Sequence, residues 1–228
     1  MKRLLVLLLL AATVVSASAQ RDVTKFLGIP VDGTKAEMKR KLIEKGFTPT
    51  KEQGYDYLEG EFNGRDVYVY IVTNNNKVYR IMVSDANLSD EADIKIRYNN
   101  LVGQFERNER YIPLRDYRIP DEEDISYEMT VHKKTYQTAF FQYSSMEQED
   151  MLTLGNDLRS EMLKKYTEEQ LENPTEEINS DADAIKKGLM IERFRNKLVW
   201  FQINRLYGKY GISMYYDNEY NHASGEDL

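Results

Sequence analysis

The chain has 228 residues, 41% of them hydrophobic and 30% charged, a balance typical of a folded globular protein rather than of a disordered one. Its net charge of −7 disfavours generic binding to nucleic acids and to anionic lipid surfaces, both of which attract basic proteins. The absence of cysteine excludes disulfides, thiolate catalysis, cysteine metal sites and a lipoprotein anchor.

The N-terminal segment has the three parts of a signal peptide. Lys2 and Arg3 supply positive charge, residues 4–10 form an unbroken apolar run, and Ala17-Ser18-Ala19 gives the small–x–small pattern of a cleavage site. The apolar stretch is shorter than the about 20 residues of a membrane-spanning helix. We therefore expect cleavage after Ala19 and export of residues 20–228, without a transmembrane segment, to the periplasm or beyond the cell.

The first half of the mature chain predicts a helix, three strands and a second helix. Thr34 and Glu37 form a capping box, and Gly46 ends the helix that follows. The strands are predicted over 55–62, 66–73 and 77–84, with turns at Asn63-Gly64 and 74–76. Short turns of this kind indicate an antiparallel meander, one face of which helices cover.

The second helix is predicted from Ser89, as its N-cap, to about Arg110. Its apolar positions recur with the period of a core-facing helix. They are Ile94, Tyr98, Leu101, Val102 and Phe105.

The second half is expected to contain two more hairpins and two more helices. Strands over 125–132 and 135–143 are predicted to pair through Lys133-Lys134, and strands over 198–206 and 211–217 to close the chain. Between them we predict helices over 147–172 and 184–195, joined by an acidic connection at 175–183.

Strands that are grouped apart from helices predict an α+β fold, in which an antiparallel β-meander and hairpins pack against several helices. Residues 20–228 are read as a single domain with one continuous sheet or two packed sheets. A division into two halves, 20–112 and 113–228, is the alternative.

No pattern of catalytic residues stands out. His132 and His222 are the only histidines, and each is expected to be a solvated surface side chain. Glu59 and Glu61 lie two apart on one strand, the spacing of a carboxylate pair in a glycoside hydrolase, but on the face predicted to be wet. The acidic runs 121–124 and 217–221 supply oxygen ligands, yet the second lacks the glycine and the glutamate of a calcium loop. We therefore predict no catalytic residue, no metal and no cofactor.

Tyrosine is unusually abundant, with 17 residues against one tryptophan. Tyr68, Tyr70 and Tyr79 on the predicted meander suit either packing under helices or a recognition surface. A second aromatic group lies near the C-terminus and is the candidate site for binding a partner or ligand. It consists of Trp200, Tyr215, Tyr216, Asp217, Asn218, Tyr220 and Asn221.

Both ends of the chain resemble a group of exported Bacteroidetes proteins. The similar segments are FLGIPVDGT at 26–34, the KGF at 45–47 with the hairpin at 60–64, YGKYGI at 207–212, MYYDN at 214–218 and GEDL at 225–228. The group has no assigned activity, so the resemblance implies no catalytic residues. More distantly, a helix followed by a meander is similar to beta-lactamase-inhibitor-like and PepSY-like periplasmic domains, which act through protein contacts.

Three functions are compatible with these features. Export, abundant tyrosine and the lack of catalytic motifs favour a non-enzymatic module that holds a secreted or envelope protein. A protein that binds a glycan or small ligand by stacking on tyrosine is the second possibility, and a hydrolase with dispersed carboxylates is the third.

Overall fold

The computed structural model describes residues 22–52, 54–114, 118–142 and 148–223. The predicted signal peptide and its cleavage site lie outside these residues, and so does the GEDL segment at 225–228. Six α-helices and antiparallel strands occupy the described residues, which confirms the predicted α+β class.

The first half begins with a two-stranded hairpin, β1 and β2, followed by helix α1, four strands and the long helix α2. Their bounds are β1 Lys25–Phe26, β2 Ile29–Pro30, α1 Lys35–Glu44, β3 Thr48–Glu52, β4 Tyr55–Phe62, β5 Arg65–Asn74, β6 Lys77–Asp85 and α2 Glu91–Arg107. Thr34 and Glu37 form the predicted capping box on α1. The strands 55–62, 66–73 and 77–84 are confirmed, whereas β3 was not predicted.

The second half contains four strands and four helices. Their bounds are β7 Tyr111–Pro113, α3 Ile125–Val131, β8 Gln137–Gln142, α4 Gln148–Leu163, α5 Glu168–Glu172, α6 Glu176–Phe194, β9 Leu198–Leu206 and β10 Lys209–Asp217. Short 3₁₀ turns at Arg195–Lys197 and Glu219–Asn221 precede β9 and follow β10. The closing hairpin is confirmed, with Tyr207 and Gly208 as its two-residue turn.

Strands from both halves form one antiparallel sheet of eight strands, in the order β3-β4-β5-β6-β10-β9-β8-β7. The last strand, β10, inserts between the meander and the β7–β9 strands, so the two halves share the sheet through the β6–β10 pairing. One face, called here the core face, packs against α1 and α2. The predicted helix positions Ile94, Tyr98, Leu101, Val102 and Phe105 are all buried in this core.

The strand predicted over 125–132 is wrong. Residues 125–131 form helix α3 rather than a strand, so no hairpin runs through Lys133-Lys134. Asp124 caps this helix by accepting a hydrogen bond from the N–H of Tyr127 at 2.8 Å. Ile125 and Met129, four residues apart, are the two that pack on the core, and four is the helical spacing.

The long helix predicted over 147–172 is interrupted, and the predicted connection at 175–183 is helical. A second capping box, between Thr167 and Gln170, starts α5 as a new helix. α6 then begins at Glu176, where Ile178 gives it a buried contact. α4 and α6 pack against each other as a helical hairpin.

Ser89 does not cap α2. Its backbone pairs with that of Tyr210 in both directions, at 2.7 and 2.9 Å, and Asp90 occupies the N-cap position. A backbone that bridges to a strand is held extended, so the helix starts later than predicted.

Strict alternation along β6 puts Tyr79 on one face with Ile81 and Val83, and the structure corrects this for Tyr79. A register shift next to Val72 and Thr73 pairs Val72 with Arg80 and Thr73 with Val78. Tyr79 is the extra residue of this bulge. Val78 is therefore buried on the core side while Tyr79 stays half-exposed.

Candidate functional site

The sheet face opposite the core, called here the second face, carries side chains in ordered rows that cross the strands. Tyr70 on β5 pairs with Met82 on β6, Met82 with Tyr215 on β10, and Tyr215 with Trp200 on β9. Side chains that are directly opposite each other on neighbouring strands point to the same side. These four residues, the aromatic row, are all half-exposed.

The aromatic row has firm internal contacts. The rings of Trp200 and Tyr215 stack with centroids 3.8 Å apart and planes at 16°. At the other end, Tyr57 on β4 is buried and lies 5.6 Å from the ring of Tyr70. Trp200 and Tyr215 were among the predicted site residues, and the structure brings them into direct contact.

An ion pair lies beside this row. Arg80 binds Asp217 through two parallel hydrogen bonds, Nε to Oδ1 at 2.6 Å and Nη2 to Oδ2 at 2.8 Å. The Trp200 indole N–H donates to the same carboxylate at 2.8 Å. The hydrogen bonds from Arg80 to Asp217 raise the pKa of Arg80 above its ordinary value, so the guanidinium stays charged.

The guanidinium also faces the aromatic rings. Its central carbon lies 5.1 Å from the Tyr215 centroid and 5.5 Å from the Trp200 centroid, within cation–π range. Arg80 was missed by the sequence reading. It lies two residues from Met82, so strand alternation places both on the second face.

A polar row runs parallel to the aromatic row. Gln202 donates to Asn204 at 2.9 Å, and Asn204 donates to Ser213 at 2.8 Å. Ser213 then donates to Ser84 at 3.3 Å. These side chains hold one another in place between β6 and β9, and they border the aromatic row with hydroxyl and amide groups.

The other predicted site residues are mostly buried. Tyr216 lies on the core face, where burial raises its pKa well above the ordinary value. Asn218 donates to the Val31 carbonyl at 2.7 Å, and Asn221 donates to Asp32 and to the Val78 carbonyl at 2.7 and 2.8 Å. These contacts fasten the loop after β2 to the C-terminal turn. Tyr220, by contrast, is 50% exposed.

The remaining chemical candidates lie apart from one another. His132 is an exposed residue at the end of α3, 2.9 Å from Glu128, and His222 packs edge-on against Tyr79. Glu59 and Glu61 are exposed on β4. In the acidic run 121–124, Glu123 accepts hydrogen bonds from Lys134 and Tyr136.

The described residues contain neither a clustered metal site nor a helix that could span a membrane. No three histidine or acidic side chains among them are grouped as a metal site would require. None of the helices within the described ranges is long and apolar enough to cross a bilayer.

Comparison of the chain with protein-family models, with curated proteins and with solved structures found no match.

Proposed function

We propose that this protein is an exported, non-enzymatic interaction module that binds a partner protein on the second face of its sheet. The observation that carries the proposal is the aromatic row, with Arg80 beside it, half-exposed across four neighbouring strands. Tryptophan, tyrosine and arginine are the residues most enriched at the energetic centres of protein interfaces. Among the predicted site residues, Trp200 and Tyr215 belong to this surface.

The row is organised before any partner arrives. Trp200 has its N–H hydrogen-bonded to Asp217 and one ring face stacked on Tyr215, so its rotamer is fixed and its polar atom is satisfied. Arg80 is held by two hydrogen bonds. Binding therefore costs little side-chain entropy, which favours affinity.

The surroundings of the row indicate a partner with a basic and apolar surface. Residues 148–194, which include the α4–α6 hairpin, contain twelve acidic and six basic residues and so have a net charge of −6. This hairpin meets the second face where Phe194 contacts Phe141 of β8, with ring centroids 5.9 Å apart. Complementary charge accelerates association and makes it sensitive to salt.

The test is capture of a partner from envelope extract on the immobilised mature chain, followed by a titration with the purified partner. Met82→Glu places a charge in the centre of the aromatic row and is expected to weaken binding at least about 100-fold. Ile96→Glu is the matched control, because Ile96 is 61% exposed on α2. Binding should survive in the control and weaken as salt is raised. Equal capture by the Met82→Glu variant would refute the proposal.

The polar row favours a second candidate, a glycan-binding surface. Hydroxyl and amide groups beside aromatic rings are what sugar recognition uses, with stacking on the ring and hydrogen bonds to the sugar hydroxyls. Thermal-shift measurements against a set of oligosaccharides separate the two functions. A saturable shift that Asn204→Ala removes and Ile96→Glu leaves intact would support the glycan. A uniform absence of shifts would count against it.

A further inference from the structure

A cleft of about 570 Å³ lies at one end of the core side of the sheet, away from the aromatic row. It opens between the β1–β2 hairpin, the link from α2 to β7, and the ends of β8 and β10. Its volume is within the range of sites for small molecules, about 300–1,000 Å³.

The floor of the cleft is aromatic and continuous with the core. Phe62, Tyr111 and Tyr216 line it, and Phe26 packs behind them, 5.2 Å from the ring of Phe62 and 5.0 Å from that of Tyr216. Burial raises the pKa of both tyrosines, so their hydroxyls stay neutral at ordinary pH. This floor presents an apolar surface without negative charge.

The wall of the cleft is cationic, although the protein as a whole is acidic. Lys25, Arg110 and Lys197 line it together with a single carboxylate, that of Asp22. Lys197 is 16% exposed, and its ion-pair partner is Asp22, which is 61% exposed. A partly exposed ammonium group paired with so exposed a carboxylate can exchange that partner for another anion at little cost.

The hairpin over the cleft is fixed in place. The Gln142 side chain accepts from the N–H of Lys25 at 2.6 Å and donates to the carbonyl of the same residue at 2.8 Å. Thr24 is fully buried, and its hydroxyl donates to the carbonyl of Asp217 at 2.6 Å and lies 3.1 Å from that of Asn196. These hydrogen bonds fix the position of the hairpin and with it the shape of the cleft.

We propose that this cleft is a binding site for a small organic anion, one with an apolar or aromatic body and a single carboxylate, sulfonate or phosphate group. The body lies on Phe62, Tyr111 and Tyr216. The anionic group is bound by Lys197, in place of Asp22, and by Arg110.

A matched pair of fluorescent probes tests both halves of this proposal on the mature chain. 1-Anilinonaphthalene-8-sulfonate has an aromatic body and an anionic group, and N-phenyl-1-naphthylamine is the same body without the charge. The sulfonate should bind at one saturable site, at least about tenfold more tightly than the neutral probe, since charge-assisted hydrogen bonds are the stronger ones.

Variants identify the site. Lys197→Gln and Arg110→Gln should each weaken sulfonate binding about tenfold or more, leave the neutral probe unchanged, and leave the near-ultraviolet circular dichroism of the native state intact. Lys209→Gln, on the β9–β10 hairpin, is the control and should bind as the parent does. The Arg110 variant serves if the Lys197 variant does not fold, because Arg110 is exposed.

Two outcomes would overturn the proposal. One is equal affinity for the charged and neutral probes, which would mean an apolar surface without an anion site. The other is undiminished sulfonate binding in both the Lys197 and the Arg110 variants, which would place the probe elsewhere. In contrast, backbone amide shifts at Gly28 and Asn108 on titration would support binding in this cleft, because both residues line it.

Discussion

Trp200 and Tyr215 occupy directly opposed positions on β9 and β10, and their rings stack at 3.8 Å on the second face of the sheet. Asp217 fixes the tryptophan by accepting its N–H and fixes Arg80 by two further bonds. The stacked pair, the carboxylate and the guanidinium therefore hold one another in a single arrangement, and removing one of them should disturb the rest.

Asp217→Asn tests this dependence. The Asp217 side chain is 5% exposed and that of Arg80 is 26% exposed, so the variant leaves a partly exposed guanidinium without its counter-charge. We expect the free energy of unfolding to fall by about 2–3 kcal/mol, somewhat less than for a fully buried pair. Urea denaturation followed through Trp200, the only tryptophan, measures this loss.

Glu219→Gln is the control for that measurement, because Glu219 lies two residues away and is exposed. It should change the stability by less than about 0.5 kcal/mol. If Asp217→Asn also lowered the free energy of unfolding by less than about 0.5 kcal/mol, water would be able to replace the carboxylate, and the arrangement of Trp200, Tyr215 and Arg80 would not depend on Asp217.

Glu123 should contribute stability that depends on pH. Hydrogen bonds from Lys134 and then from Tyr136 lower the pKa of Glu123 from its usual 4.5. A carboxyl whose pKa is lower in the folded state stabilises the fold fully above about pH 4.5, and this contribution disappears as the pH falls through the folded-state value. Glu123→Gln should therefore cost about 1 kcal/mol at pH 7 and less near pH 2.5.

Chemical denaturation at the two pH values checks this sign. Glu122→Gln, at the exposed neighbouring position, is the comparison and should cost little at either pH. A cost for Glu123→Gln that grows as the pH falls would contradict the assignment.

The parts of the fold that sequence reasoning predicted are those in which local and tertiary preferences agree. The Thr34–Glu37 capping box and the Asn63-Gly64 turn specify α1 and the β4–β5 hairpin by themselves. α3 shows the converse. The apolar residues of this segment alternate as in a strand: Ile125, Tyr127, Met129 and Val131. However, Tyr127 and Val131 are each 52% exposed, and only Ile125 and Met129, which are four residues apart as on one helix face, pack in the core.

The candidate site was predicted only in part, for a reason of topology. Trp200 and Tyr215 lie on one hairpin, so sequence proximity brings them together. Arg80 and Met82 join them because β10 pairs with β6, a contact between residues more than 130 positions apart that no local pattern encodes.

The turn between β9 and β10 should be improvable. Its first residue, Tyr207, has a left-handed φ of 52° and is 94% exposed, so it bears backbone strain without a packing contact to offset it. Asparagine tolerates this conformation far better, as at Asn63 in the β4–β5 turn with φ of 53°. Tyr207→Asn should raise the free energy of unfolding by about 0.5–1 kcal/mol.

The reverse exchange provides the comparison. Asn63→Tyr places the strained residue in the other hairpin and removes a 2.8 Å hydrogen bond to Gln104, so it should lower the stability. If Tyr207→Asn were instead destabilising in urea titrations, the exposed tyrosine ring would have to make a stabilising contact.

Two glycines should respond oppositely to the same substitution, because one is packed against an aromatic ring and the other faces open space. A Cβ on Gly60 would lie 2.6 Å from a ring carbon of Phe47, which is buried under β4. Gly60→Ala should therefore cost about 1–3 kcal/mol by overpacking. A Cβ on Gly155, in α4, meets nothing within 4 Å, and Gly155→Ala should gain about 0.5–1 kcal/mol in helix propensity.

Thermal denaturation of both variants measures the contrast, and Phe47→Leu in the Gly60→Ala background should recover part of the loss by relieving the clash. A Gly60→Ala protein as stable as the parent would show that the Phe47 ring moves aside freely, and the close packing of Phe47 on β4 would then contribute little to the stability of the core.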